Sequence, residues 1–195
     1  MAGRLIALEG LDQSGKQTQA ERLRDRLVAD GRSVRLLSFP VYETAIGTEI
    51  HQALHGDRGY GPDVMQLLYV TNRYEMKPRI EADLADGVIL ICDRYAASSL
   101  AYGEAQGLDA HWLRDLQVHL PQPALTVLLD IAPEVSAQRK SAGRDRYERD
   151  LALLTRVRES YLRQSASLGW VRLDADRDRD AVAADVWTAV ARVLS

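Results

Sequence analysis

Five short runs of apolar, largely β-branched residues punctuate the chain, at Leu5 to Leu8, Val34 to Phe39, Val88 to Cys92, Leu125 to Leu129 and Trp170 to Leu173. Each reads as a strand buried on both faces. Between them apolar positions return at helical spacing: Thr18 to Ala29 through Leu23 and Leu27, then Val64 to Leu84, Trp112 to His119 and Leu151 to Leu168. A last segment follows Asp180 and sets Val182, Val186, Trp187, Val190, Val193 and Leu194 on one face. Strands alternating with helices predict parallel β-α units in a three-layer α/β/α arrangement, with a five-stranded parallel sheet covered on both sides. Ligands of such sheets sit at the carboxyl ends of the strands, which is where the chemistry is expected. No repeat, low-complexity stretch or composition break divides residues 1–195, so one domain is predicted.

Composition changes this picture little. A chain of 195 residues with 46% hydrophobic and 27% charged residues suits one well-buried core. A formal net charge of −3 argues against electrostatic wrapping of a nucleic-acid duplex, while leaving room for a local basic pocket that binds a phosphorylated small molecule. Cys92 is the single cysteine, which rules out an intrachain disulfide and a cysteine-rich metal cage; inside VILIC it reads as a small core residue. MAGRLIALEG has too short an apolar stretch for a signal peptide, and no run approaches a membrane span. A cytoplasmic protein with neither membrane nor nucleic-acid partners is expected.

The first strand ends in GLDQSGKQT, Gly10 to Thr18. It carries the glycines and lysine of the phosphate-binding pattern G-x-x-x-x-G-K-[ST], in the strand–turn–helix context that pattern requires. Gly10, Leu11, Asp12, Gln13, Ser14, Gly15 and Lys16 can curl so that successive N–H groups point at phosphate oxygens, with a helix N-terminus and the Lys16 charge behind them. The alternative is a tight turn that binds nothing. Gln17 stands where a hydroxyl normally enters the shell of a magnesium ion. That ion also takes waters and phosphate oxygens, so Gln17 either offers its amide oxygen or leaves the place to water. Thr18 lies about 100° further round the helix and substitutes poorly.

The third strand closes with Asp93 and Arg94. If it neighbours the first strand, Asp93 faces the phosphate loop, where a carboxylate can hold hydrated magnesium and Arg94 can fork between phosphate oxygens. Taken alone, the pair reads first as a surface ion pair at a strand end; combined with the loop, that becomes the weaker reading.

The loop EGLDQSGKQTQ, the pair Phe39-Pro40, LLYVTNRYE, DRYAASSLAY, LPQP and RDRYERD resemble, in order and spacing from about Leu5 to Asp150, the landmarks of the thymidylate kinase family. The resemblance implies a P-loop NTPase-type fold with a short LID at about residues 139–150, transfer of phosphate from ATP to dTMP, a Mg2+ cofactor, and a homodimer. It places Lys16 on the donor's β- and γ-phosphates, Arg94 near the transferred group, and Asp12 near the acceptor's sugar and phosphate with Glu9 in support. Tyr69 and Arg73, four apart on one helix face, are implied to stack on the base and donate to thymine O4. Ser98 and Ser99 fall in the acceptor site, Ser99 at the far edge of the base, and Tyr102 lies beside the deoxyribose. Phe39, Pro40 and Tyr42 are implied to supply the acceptor loop, and equally read as a strand end packing on the core. Gln13 replaces the loop arginine of some family members, so the missing charge is expected from the LID, with Arg139 and Arg144 the candidates among RKSAGRDRYERD. Two further departures are Gly103, where the family usually has alanine or a small polar residue, and Val41-Tyr42, which lacks the arginine that many members place nearby.

Two other readings remain. A deoxynucleoside kinase phosphorylates a neutral hydroxyl and needs a carboxylate base, for which Glu43 in FPVYE is available. A nucleotide switch or GTPase shares the loop, but the guanine-reading N-K-x-D pattern is missing from this sequence.

Overall fold

The computed structural model describes residues 3–139, 147 and 150–194. Strands β1 (Arg4–Glu9), β2 (Val34–Ser38), β3 (Ile89–Asp93), β4 (Leu125–Asp130) and β5 (Val171–Asp174) form one parallel sheet in the order β2-β3-β1-β4-β5. The continuous apolar run of β1 has a simple cause. Successive side chains leave a strand on opposite faces, so Leu5 and Ala7 enter one core with Leu90 and Cys92, and Ile6 and Leu8 enter the other with Ile91 and Val127. The thiol of Cys92 is fully buried, and that burial pushes its pKa up. The edge strands depart from the expected burial on both faces: β2 is only half-buried and β5 alternates between half-buried and exposed, because each has a neighbouring strand on one side alone.

Helices α1 (Lys16–Ala29), α3 (Pro62–Ala85), α7 (Leu151–Leu168) and α8 (Arg179–Leu194) fall where the spacing predicts them. Three more were not legible from periodicity: α2 (Ala45–His55), α4 (Ala96–Ala105) and α6 (Pro133–Arg139). In α4 every residue from Ala97 to Gly103 is buried, so no polar face marks a helical repeat. Thr44 starts α2 by accepting from Gly47 N–H at 2.9 Å. The segment expected to be helical from Trp112 to His119 is instead α5 (Ala110–Asp115). Past Asp115 the chain tightens, with Gln117 N–H donating to Arg114 O at 2.9 Å and Leu120 N–H to Gln117 O at 3.0 Å.

β1 lies at the centre of the sheet with β3 on one side and β4 on the other, and Leu8 registers with Asp93. The condition set by the sequence is therefore met: the loop after β1 and the Asp93-Arg94 pair share one end of the sheet.

Candidate active site

The turn from β1 into α1 is built on positive φ angles: 142° at Gly10, 60° at Gln13 and 93° at Gly15. A Cβ at Gly10 would stand 2.4 Å from Leu129 O, so only glycine lets the loop pass this close to β4. The coil encloses Lys16, whose ammonium donates to Gly10 O at 3.2 Å and to Leu11 O at 2.8 Å. Burial and then the charge of Arg94 lower the Lys16 pKa to about 8, against the opposing pull of Asp93, Asp12 and Glu9. The first N–H groups of α1 have no intrahelical acceptor, and with the helix dipole they form an anion site. Gln17 lies on the exposed face of α1 and donates through Nε2 to Glu21 Oε1 at 3.0 Å, which leaves its amide oxygen available. Thr18 is half-buried.

Arg94 has a φ of 65°, a left-handed conformation that is strained for a side chain of this size. Its N–H donates to Leu8 O at 3.0 Å, and its guanidinium to Asp12 Oδ1 at 2.6 Å, Gly10 O at 3.2 Å and Ser98 Oγ at 3.2 Å. The Tyr102 hydroxyl donates to Asp12 Oδ2 at 3.1 Å. Burial alone raises the pKa of Asp12, but the charges of Arg94 and Lys16 and the two hydrogen bonds outweigh it and hold the carboxyl at about 2.

Glu9 departs from its expected place in support of Asp12. It is fully buried, and Oε1 accepts from Tyr95 N–H at 2.8 Å and Ser98 N–H at 3.2 Å. Its Oε2 accepts from Ser98 Oγ at 2.6 Å and the Tyr161 hydroxyl at 3.0 Å. A carboxylate at the start of α4 complements the dipole there and fixes the strained turn that aims Arg94. Ser98 is thus engaged by Glu9 and Arg94 at the cleft wall, where Asp93 is half-buried.

Across the cleft, α3 presents Tyr69 and Arg73. Arg73 is 3% exposed, donates from Nη1 to Ser99 Oγ at 2.8 Å and Gln117 Oε1 at 3.2 Å, and stands over the Phe39 ring at 5.9 Å. Phe39 both lines the cleft and packs on Tyr95, with ring centroids 5.6 Å apart, so its two expected roles coexist. Pro40 follows through a cis bond, Tyr42 is exposed with its ring edge to His51, and Glu43 is exposed on the rim. A residue that the sequence reading did not single out fixes this loop: Asn72 accepts from Val41 N–H at 2.8 Å and donates to Val41 O at 3.2 Å and Thr44 Oγ1 at 2.9 Å.

These walls enclose a cleft of about 1010 Å³. It is lined by Asp12 to Thr18, Phe39, Pro40, Tyr42, Tyr69, Arg73, Asp93, Arg94, Ser98, Ser99 and Tyr102, whereas Gly10 and Leu11 lie behind it and serve Lys16 and Arg94 through their carbonyls. Its far end was not anticipated and consists of Ala175, Arg177 and Arg179, from the run DADRDRD, with Val182 of α8. Arg139 also lies there, at the end of α6. It donates to Gln13 O at 3.1 Å, Ala175 O at 3.3 Å and Asp176 Oδ1 at 3.0 Å, tying the phosphate loop to the turn between β5 and α8. Arg144 lies outside the described residues.

The family pattern described as thymidylate kinase matches residues 8–186. The chain is 34% identical to the thymidylate kinase of Schizosaccharomyces pombe, over 98% of this chain and 93% of that protein. It is 35% identical to that of Homo sapiens, over 99% of this chain and 90% of that one. The solved structure of thymidylate kinase from Candida albicans superposes with a TM-score of 0.84 at 29% identity, covering 98% of this chain and 92% of that one.

Proposed function

The chain belongs to the thymidylate kinase family, and from that premise we propose that it transfers the γ-phosphoryl group of ATP to dTMP, yielding ADP and dTDP, within a single domain spanning residues 1–195. The observation that carries this reading is the shared cleft: the phosphate loop with Lys16, the paired Arg94 and Asp12, and the Tyr69–Arg73 wall all border one space, about 1010 Å³, of a size for two nucleotides.

The acceptor brings its own anionic oxygen, so no strong base is needed, and positioning with charge neutralisation does the catalysis. That oxygen forms a bond to the γ-phosphorus while the bond from the γ-phosphorus to the bridging oxygen breaks, and ADP leaves with the electron pair. Lys16 neutralises the β- and γ-phosphates. Arg94, held by Asp12, Gly10 O and Ser98, meets the transferred group without having to be ordered first. Tyr69 stacks on the base, Arg73 donates to its carbonyl and Ser99 meets its far edge. Tyr102, buried with its hydroxyl on Asp12, is taken to lie beside the deoxyribose, where its bulk disfavours a 2′-hydroxyl. Filling a methyl-sized hole is worth only about 1–3 kcal/mol, so some activity on dUMP accompanies that on dTMP. Arg139 completes the neutralisation from the far end, and Arg144 is assigned to the same task by family likeness alone. Asp93 and the Gln17 amide oxygen are hard oxygen donors of the kind magnesium takes, and among the described residues there is no group of three His, Cys, Asp or Glu side chains placed to hold an ion. That suits an ion completing its shell with water and phosphate oxygens, and bound Mg2+ would supply further neutralisation of the phosphates. The reading extends to a homodimer, carried by family likeness, and to a cytoplasmic setting.

A coupled ADP-release assay with ATP and Mg2+ tests the reaction. A response to dTMP supports it; a response to thymidine alone would give the reaction to a deoxynucleoside kinase with Glu43 as base, and a response to neither would leave a nucleotide switch. Equilibrium ATP binding reports on Lys16. Its pKa in the free protein is about 8, and a polyanion beside it must raise that value. The charged form binds ATP better, so affinity is full below pH 8 and falls as pH rises above it, by up to about tenfold per unit. The expected result is an ATP dissociation constant that is flat from pH 6.5 to 7.5 and climbs above pH 8, with the climb missing in Lys16→Met.

A further inference from the structure

Arg73 is a buried cation with no carboxylate partner among the described residues: its hydrogen bonds go to Ser99 Oγ and Gln117 Oε1, and its enclosed Nε has none. Buried arginines are ordinarily paired. The nearby carboxylate of Glu9 is occupied by four donors on other groups. Gln117, 4% exposed, therefore stands where a glutamate would form an ion pair. Its orientation is fixed by chemistry. Nε2 donates to Leu113 O at 3.0 Å and Ala96 O at 3.3 Å, and neither carbonyl can donate in return. The guanidinium cannot accept, so Oε1 must face Arg73 and the amide cannot flip.

Gly103 explains why this turn lies so close. A Cβ there would fall 2.6 Å from Leu113 Cδ1. The bare glycine seats Leu113, fully buried, against α4, and the Leu113 carbonyl is the nearer of the two that hold Gln117. The departure from the family pattern at Gly103 thus belongs to the same device.

We propose that Gln117 is a positioning residue for base selection, holding Arg73 by Nη1 with a neutral carbonyl so that the guanidinium keeps its charge and its remaining N–H groups for a carbonyl of the acceptor base. A carboxylate at this place would draw the planar fork into a two-bond pair and compete with the ligand's weaker acceptor. The inference rests on the reading that Arg73 meets the base, and the experiment separates the two.

Steady-state kinetics are measured for wild type, Gln117→Leu, Gln117→Glu and Arg73→Met, with folding checked by thermal melts. The acceptors are dTMP and the deoxynucleotide of 5-methyl-2-pyrimidinone, which lacks the 4-oxygen. Both Gln117 variants are expected to raise KM for dTMP roughly 10- to 100-fold with kcat kept within about threefold, the size of losing a hydrogen bond to a charged group. KM for ATP stays unchanged, and the penalty disappears with the 4-deoxygenated acceptor. An equal penalty on both acceptors would reduce Gln117 to packing and overturn the proposal, as would wild-type KM for dTMP in Gln117→Leu. Wild-type behaviour of Gln117→Glu would overturn the requirement for a neutral partner. If Arg73→Met leaves KM for dTMP unchanged, the base-reading role itself fails and the proposal with it; if Arg73→Met raises it and Gln117→Leu does not, the proposal alone fails.

Discussion

Replacing Lys16 with methionine lowers kcat by at least 100-fold and leaves the protein folded. The side chain is 6% exposed, and methionine keeps most of its volume. What disappears is the ammonium that Gly10 O and Leu11 O hold in place at 3.2 and 2.8 Å. A fixed donor aimed at developing charge, in a site where water is excluded, is worth about 10²–10³ in rate. Its removal costs little stability, because the charged form already carries the desolvation that depresses its pKa to about 8. Single-turnover kinetics with saturating dTMP, together with a thermal melt, check both halves. A variant within tenfold of wild type would remove Lys16 from the reaction.

Arg94→Ala has two expected effects, one on rate and one on stability. Turnover falls about 10²–10³-fold, since on the proposed reading the guanidinium that meets the transferred group is lost. Stability falls by about 3 kcal/mol, toward the lower end of what breaking a buried pair costs, because the side chains of Arg94 and Asp12 are 15% and 29% exposed. For a chain of 195 residues that corresponds to roughly 6–12 °C in Tm. The pH dependence identifies the cause. In wild type the Asp12 pKa is lowered from 3.8 to about 2, so this carboxylate adds stability that is present above pH 3.8 and lost as pH falls towards 2. Without Arg94 that contribution is gone. Urea unfolding should therefore show a gap between wild type and variant that is widest near neutrality and narrows below pH 4. Adding Asp12→Asn to Arg94→Ala should recover part of the stability and none of the turnover.

The central strand, its loop and α1 could be read from sequence because their determinants are local: an apolar run, glycines at two positions, a lysine at the mouth of a helix. Tyr69 and Arg73 were legible through their spacing together with the family landmarks. What escaped was set by distance or by enclosure. Glu9 takes its partners from residues 86 to 152 positions away, so nothing near it in sequence distinguishes a buried helix cap from a solvated side chain. The helix α4 is buried from Ala97 to Gly103 and so lacks the polar face by which helices are recognised. Gln117 lay inside a segment expected to continue as a helix, and the tightening after Asp115 accompanies its turn inward. Arg139 was expected to act from a LID, and its anchoring to Gln13 O and Ala175 O depends on the order of the sheet, which brings β5 round to the phosphate loop's side of the molecule.

The wiring of Glu9 also constrains how such a sequence can drift. One carboxylate satisfies donors from Tyr95, Ser98 and Tyr161, and those donors in turn leave it no other acceptable occupant. Losing the acid strands the main-chain N–H groups of Tyr95 and Ser98 as well as two hydroxyls, and exchanging acid and hydroxyls together still leaves those two N–H groups without an acceptor. Ser98 and Tyr161 can therefore change while the acid stays, but the acid can change only where another acceptor meets the two main-chain donors.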